Sequence, residues 1–180
     1  MRSSYSDNGI VIRSIDSGEA DKYVTILTER HGLADFVARG ARRLSSKKAP
    51  HLDPFNLIRF LVGRGQDLQF LEQAESSNFY PAIKNSISKT RLCLTISEIL
   101  LGTLPKEVED REIYLSYKIF LDAVEVADSE KEINRLGHQF GLFLLRHLGY
   151  PAPKQSATSS DLSVYFESIM NKKLISPQIK

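Results

Sequence analysis

The run RGARRLSSKKAP, residues 39–50, is where side-chain types and spacing could first do chemistry. Arg39, Arg42, Arg43, Lys47 and Lys48 place five cations and no acid in its first ten positions. The guanidinium fork matches phosphate oxygens and stacks on flat rings, so arginines at the start of the run suit a nucleic-acid backbone. Ser45 and Ser46 add hydroxyl donors for phosphate oxygens. Gly40 allows a sharp turn just after a strand. Residues 30–64 as a whole hold eight cations, adding Arg30, Arg59 and Arg64, against the two acids Asp35 and Asp53. The chemistry on offer is a grip on a polyanion backbone without base-specific readout; the competing reading is a loop kept in solvent by its charge. Whole-chain charge does not separate the two. With 24 basic and 22 acidic residues the net charge is only +2, so any nucleic-acid function must come from local placement.

Other reactive side chains are scattered. His31 falls in a turn, His51 before a strand, and His138 and His147 on one helix, none at a metal-fork spacing beside a carboxylate. The acids of KEVEDREIY, residues 106–114, suit a solvated helix start, where Asp110 and Glu112 meet the positive end of the helix dipole. GRG at 63–65 reads as a turn and not a phosphate loop. Cys93, the one cysteine, lies between Leu92 and Leu94 and reads as a buried thiol. The expectation is a protein that is not an enzyme, with no metal and no cofactor.

These residues need elements to position them. Before residue 80, short β-type runs sit between turn signals: 9–15, 22–28, 33–39, 55–62 and 67–74. LADFVAR puts Ala34, Phe36 and Ala38 on one face, with Asp35, Val37 and Arg39 on the other. Five strands in about 75 residues fit an OB-type barrel. After Pro81 the period lengthens. Helical stripes are predicted over 86–104, over 112–127, and over a third helix begun by a Ser129/Glu132 capping box and ended by Gly149 and Pro151. PAPKQSATSS, residues 151–160, reads as a connector before a short amphipathic helix carrying Leu162, Tyr165, Phe166 and Ile169. The expected fold is an α+β two-part chain: a five-stranded OB-fold β-barrel over 1–79, then an α-helical bundle over 80–180.

The composition, 42% hydrophobic and 26% charged, is that of an ordinary globular protein. No apolar run approaches the ~18 residues of a membrane span. MRSSYSDNGIVIRS lacks the apolar segment of a secretory signal, so the expected location is the cytoplasm.

GIVIRSIDSGEADKYVTILTERHGLADFVARGARR resembles the N-terminal domain of the RecO family of bacterial recombination mediators. The shared pattern is a Gly-Ile-Val strand, Asp-x-Gly-Glu-x-Asp, Val-Thr-x-Leu-Thr, a turn with Gly, and Ala-Arg-Gly-Ala-Arg-Arg. LDPFNLIRF, LEQAE and FGLFLLRHLGYPAP extend the likeness over roughly residues 9–170. The resemblance implies an OB-fold followed by a helical domain. It implies binding of single- and double-stranded DNA, annealing of complementary strands, and nucleoid association. It also implies RecR as a partner in loading RecA onto DNA coated by single-stranded-DNA-binding protein, whose acidic, apolar C-terminal tail is contacted. Arg39, Arg42, Arg43, Lys47 and Lys48 fall on the family's basic OB surface, and Arg64 is added as a DNA-binding candidate. Many relatives carry a cysteine-based zinc module after the Leu-Gly-Tyr helix; PAPKQSATSSD has no cysteine, so none is expected here.

An electrostatic groove neutralising about six phosphates would show a salt slope of roughly −4 on a single strand. Tyr5, Tyr23, Phe36 and Phe55 are available for stacking, with Phe36 and Phe55 better suited to the core. Arg135 and Arg146 flank the third helix's stripe and are candidates for the acidic tail. The alternative function is an OB-fold adaptor for RNA or protein peptides, in which the loop only solvates.

Overall fold

The computed structural model describes residues 4–64, 68–151 and 159–176. Its first strand, β1 (Ser4–Ser17), is long enough to serve two neighbours. Residues 4–10 pair antiparallel with β4 (Leu57–Arg64), and residues 9–17 pair antiparallel with β2 (Asp21–Thr28). The register shifts between Val11 and Arg13, a bulge that lets one strand bend from one partner to the next. β2 pairs with β3 (Gly32–Ala38), and β4 pairs with β5 (Gln69–Asn78). One parallel bridge, Val37 to Phe70, joins β3 to β5. The order β1-β2-β3-β5-β4 closes into a barrel, the five-stranded OB arrangement.

Strand alternation decides what lies inside. Ala34, Phe36 and Ala38 on β3 enter the barrel core, as do Ile58, Phe60 and Val62 on β4. The Phe36 and Phe60 rings meet edge to face at 5.4 Å, a favoured aromatic geometry. Alternate residues Asp35, Val37, Arg59 and Leu61 therefore face outward.

The strand expected at 55–62 begins at Leu57 instead. Phe55 is buried with φ at 73°, its N–H donates to Val11 O at 2.7 Å, and Val11 N–H donates to Asn56 O at 3.0 Å. This staple at the β1 bulge holds Phe55 and Asn56 out of the ladder. The turn expected at 63–65 begins later: Gly63 and Arg64 still belong to β4 and pair with Phe70 and Gln69, and residues 65–67 lie outside the described residues.

The chain divides into two compact units. The first joins 1–79 with 105–118, so the segment before the second long helix returns to the barrel. Glu107 N–H donates to Leu33 O at 3.0 Å, and Lys106 Nζ donates to Asp35 Oδ1 at 2.9 Å. Gly32 makes this return possible: a Cβ there would sit 1.9 Å from Val108 O, and its φ is 67°.

The second unit comprises 80–104 and 119–180. Helices α1 (Pro81–Lys84), α2 (Ile87–Thr103), α4 (Glu130–His147) and α5 (Ser159–Met170) belong to it. α3 (Arg111–Val126) begins in the first unit and ends in the second. Ser129 Oγ accepts Glu132 N–H at 3.3 Å, the predicted start of α4. Glu125 accepts both Ala82 and Ile83 N–H at 2.9 Å, satisfying the first turn of α1. Cys93 is fully buried, and burial pushes its thiol far up from the ordinary value. Residues 152–158 of the expected connector lie outside the described residues.

Candidate nucleic-acid interface

The loop after β3 is built, not loose. Gly40 takes a left-handed φ of 65°, which an ordinary side chain resists, and its N–H donates to Asp21 Oδ1 at 2.7 Å. Ala41 is buried in the barrel core. Arg42 N–H donates to Ala20 O at 2.8 Å, Arg42 Nη1 donates to Gly18 O at 2.7 Å, and Arg42 Nε lies 3.1 Å from Asp16 Oδ2. Ser46 N–H donates to Arg43 O at 2.9 Å, closing a tight turn. A 3-10 turn, Ala49–His51, leads on towards β4.

This loop forms one wall of an open groove of about 970 Å³. Arg39, Arg43, Lys47, Lys48 and His51 line it from the loop, and Arg59 lines it from β4. Glu72 and Glu75 of β5 also line it, so five Lys and Arg side chains stand against two carboxylates. Arg39, Arg43, Lys47 and Arg59 make no ion pair among the described residues. Lys48 Nζ donates to Leu71 O at 2.9 Å. Burial pushes the Lys48 ammonium below its ordinary value, against the pull of Asp21 and Glu72. Arg39 lies over the Phe70 ring, its guanidinium carbon 3.8 Å from the centroid, close enough for a cation–π contact. His51 Nδ1 accepts Ser76 N–H at 3.1 Å, which places the proton of the neutral ring on Nε2.

The structure thus brings Arg39, Arg43, Lys47 and Lys48 to one groove and turns Arg42 towards the β1–β2 hairpin. Arg64 ends β4; its side chain is outside the described residues. Arg59, His51 and the two glutamates come from beyond the basic run. Arg59 was visible as the one charged residue in LIRFLV, where alternation turns it outward. The glutamates give no such signal, because only the β4–β5 register carries them to the groove.

Arg30 is occupied elsewhere. The fully buried carboxylate of Asp7 accepts Arg30 Nε at 3.2 Å and lies 2.7 Å from His31 Nδ1. Phe36 and Phe55 are core residues, and Tyr5 is partly buried with its hydroxyl donating to Gln69 Oε1 at 2.7 Å. Tyr23 is exposed.

In the second unit, Arg135 pairs with Glu132 at 3.5 Å and donates to Gln139 Oε1 at 3.0 Å; Arg146 Nε donates to Leu142 O at 3.3 Å. Both lie on one exposed face of α4. Neither lines the small apolar cleft of about 70 Å³ between α2, α4 and α5. Among the described residues, no group of three His, Cys, Asp or Glu side chains is placed to hold a metal ion, and no helix is long and apolar enough to cross a membrane.

A closed five-stranded barrel of this order, with a cation-lined groove beside β4 and β5, defines an OB-fold protein with a basic surface, followed by a helical unit. Residues 1–80 match the family described as "Recombination protein O N terminal". The chain is 32% identical over 150 residues to a "DNA repair protein RecO" of Rubrobacter xylanophilus, covering 83% of this chain and 59% of that one. A protein of the same name from Synechococcus sp. is 32% identical over 164 residues, with 86% and 57% covered. A third, from Bifidobacterium adolescentis, is 31% identical over 149 residues, with 81% and 59% covered. The chain belongs to the RecO family. It spans just under three fifths of the length of these relatives.

Proposed function

We propose that the groove holds the phosphodiester backbone of DNA, single- or double-stranded, and that the protein is a DNA repair and recombination mediator without catalytic activity. The observation that carries this is the convergence of Arg39, Arg43, Lys47, Lys48 and Arg59 on one groove. The relatives' name, DNA repair protein, supports the same reading. Several cations facing one channel release counterions when phosphates replace them, which gives affinity without sequence preference. Annealing follows from the same physics. A surface that screens two polyanions while leaving base edges free lowers the repulsion between complementary strands.

The wider role is assistance to RecR in loading RecA onto DNA coated by single-stranded-DNA-binding protein, in the cytoplasm at the nucleoid. Arg135 and Arg146, about 16 Å apart along one face of α4, would be the cations that meet that protein's acidic C-terminal tail. The test of the groove is a binding titration against single-stranded DNA, duplex DNA, RNA and an acidic peptide at two salt concentrations. Salt-sensitive binding of DNA, lost on changing Arg43 and Lys47 to Ala, supports the reading. Preference for the acidic peptide, or for RNA alone, would replace it with an adaptor role.

A further inference from the structure

The outer face of the barrel carries a row that the electrostatic groove does not use. The register aligns Ile15 with Tyr23 and Tyr23 with Val37, and the parallel bridge aligns Val37 with Phe70. None of the four belongs to the barrel core. Ile15 is 46% exposed and Tyr23 45% exposed, and Val37 between Tyr23 and Phe70 is covered. At the far end the Arg39 guanidinium carbon lies over the Phe70 ring, 3.8 Å from its centroid. An apolar row of four strands' width therefore ends on a guanidinium plane that also lines the cationic groove.

We infer that this row is a base-stacking platform, with Tyr23 and the Arg39–Phe70 pair as its two seats, and that its occupant is an unpaired nucleic-acid strand. The inference rests on the groove reading above and adds the strand type and the role of two residues. Three observations favour it. Tyr23 and the Arg39–Phe70 pair are two strand spacings apart, ~10 Å. Bases in a duplex stack 3.4 Å apart along each strand, so two seats this far apart fit splayed bases. Arg39 lies against the Phe70 ring, and a guanidinium group is a stacking surface for bases. Finally, the row runs into the groove that would carry the phosphates, so charge complementarity selects a polyanion over an apolar protein surface. Of the acids near the row, Asp16 is paired with Lys22 and Arg42 and Asp35 with Lys106, while Glu72, two residues on from Phe70, stands among the groove's cations.

The experiment compares two labelled oligomers of equal length and charge, oligo-dT and a fully abasic strand, by fluorescence anisotropy over a salt series. Wild-type protein should bind oligo-dT about a hundredfold more tightly than the abasic strand, the effect of two stacked bases at roughly tenfold each. Tyr23→Ala should reduce that preference to about tenfold while the salt slope is unchanged, whereas Tyr23→Phe keeps it whole. Arg39→Lys keeps the charge, and should likewise reduce the preference to about tenfold while retaining slope. Equal binding of both strands by wild type, or a preference that Tyr23→Ala leaves undiminished, would overturn the platform while leaving the groove intact. Absence of binding to either strand would instead remove the groove reading and the platform with it. Tyr23 is exposed, and a thermal melt of each variant verifies folding.

Discussion

Arg42 and Asp16 are joined, Nε to Oδ2 at 3.1 Å, and this contact ties the basic loop to the β1–β2 hairpin. The same guanidinium holds Gly18 O. Arg42 thus acts as a brace for the loop, while its neighbour Arg43 faces the groove.

That division separates two arginines which look equivalent in sequence. Arg43→Ala should lower the steepness of the salt dependence on single-stranded DNA by about 0.7 and leave stability unchanged. Arg42→Ala should cost about 1 kcal/mol of stability, since the ion pair is solvent-screened and the carbonyl contact is charge-assisted. Its effect on the salt slope should be smaller. Chemical denaturation and binding over a salt series read the two effects separately.

Glu75 opposes the groove's cations from β5 and faces Arg59 across the β4–β5 register. Glu75→Gln should therefore tighten DNA binding by up to about fivefold at low salt, the size of one charge contact across a water-like dielectric. The gain should fade as salt rises. Titration at two ionic strengths checks both parts.

Tyr114 is buried on the first-unit part of α3. Burial pushes its phenol up to about 12, and Glu29 and Asp7 add to the shift. The unfolded phenol titrates near 10. Its stabilisation is therefore complete below about pH 10 and is lost as pH rises towards 12, by about 2 kcal/mol at the far end. Tyr114→Phe should remove that part of the alkaline decline, read as the difference between the two unfolding curves.

Gly32→Ala places a Cβ against the Val108 carbonyl at a positive φ. Either the 105–110 segment leaves the barrel or the strand start distorts. A loss of about 2 kcal/mol or more is expected in thermal or chemical unfolding, with the Lys106–Asp35 contact weakened.

The barrel was legible because strand alternation is a local signal: Ala34, Phe36 and Ala38 separate from Asp35, Val37 and Arg39 by parity alone. The α-helical half was legible for the same reason, and Ser129 marked the start of α4 by its capping chemistry. What local pattern could not supply was anything set by register or return of the chain. SYSDNG is polar, so residues 4–8 did not read as the start of β1, although they pair with β4 along their length. The return of 105–118 to the barrel depends on Gly32 meeting Val108, a contact between segments more than seventy residues apart. The basic run named most of the groove's cations, but not that Arg42 turns away or that β5 adds two acids. The contact of Arg39 with the Phe70 ring depends on the single parallel bridge between β3 and β5.

The measurement that tests the account most directly is the dependence of single-stranded DNA affinity on salt, for wild type and for the variant Arg39→Ala, Arg43→Ala, Lys47→Ala. Five groove cations predict a wild-type slope of about −3.5 for log K against log salt, and the triple variant should bring it to about −1.4. A wild-type slope near zero, or a slope the triple substitution leaves unchanged, would contradict the groove as the DNA-binding surface.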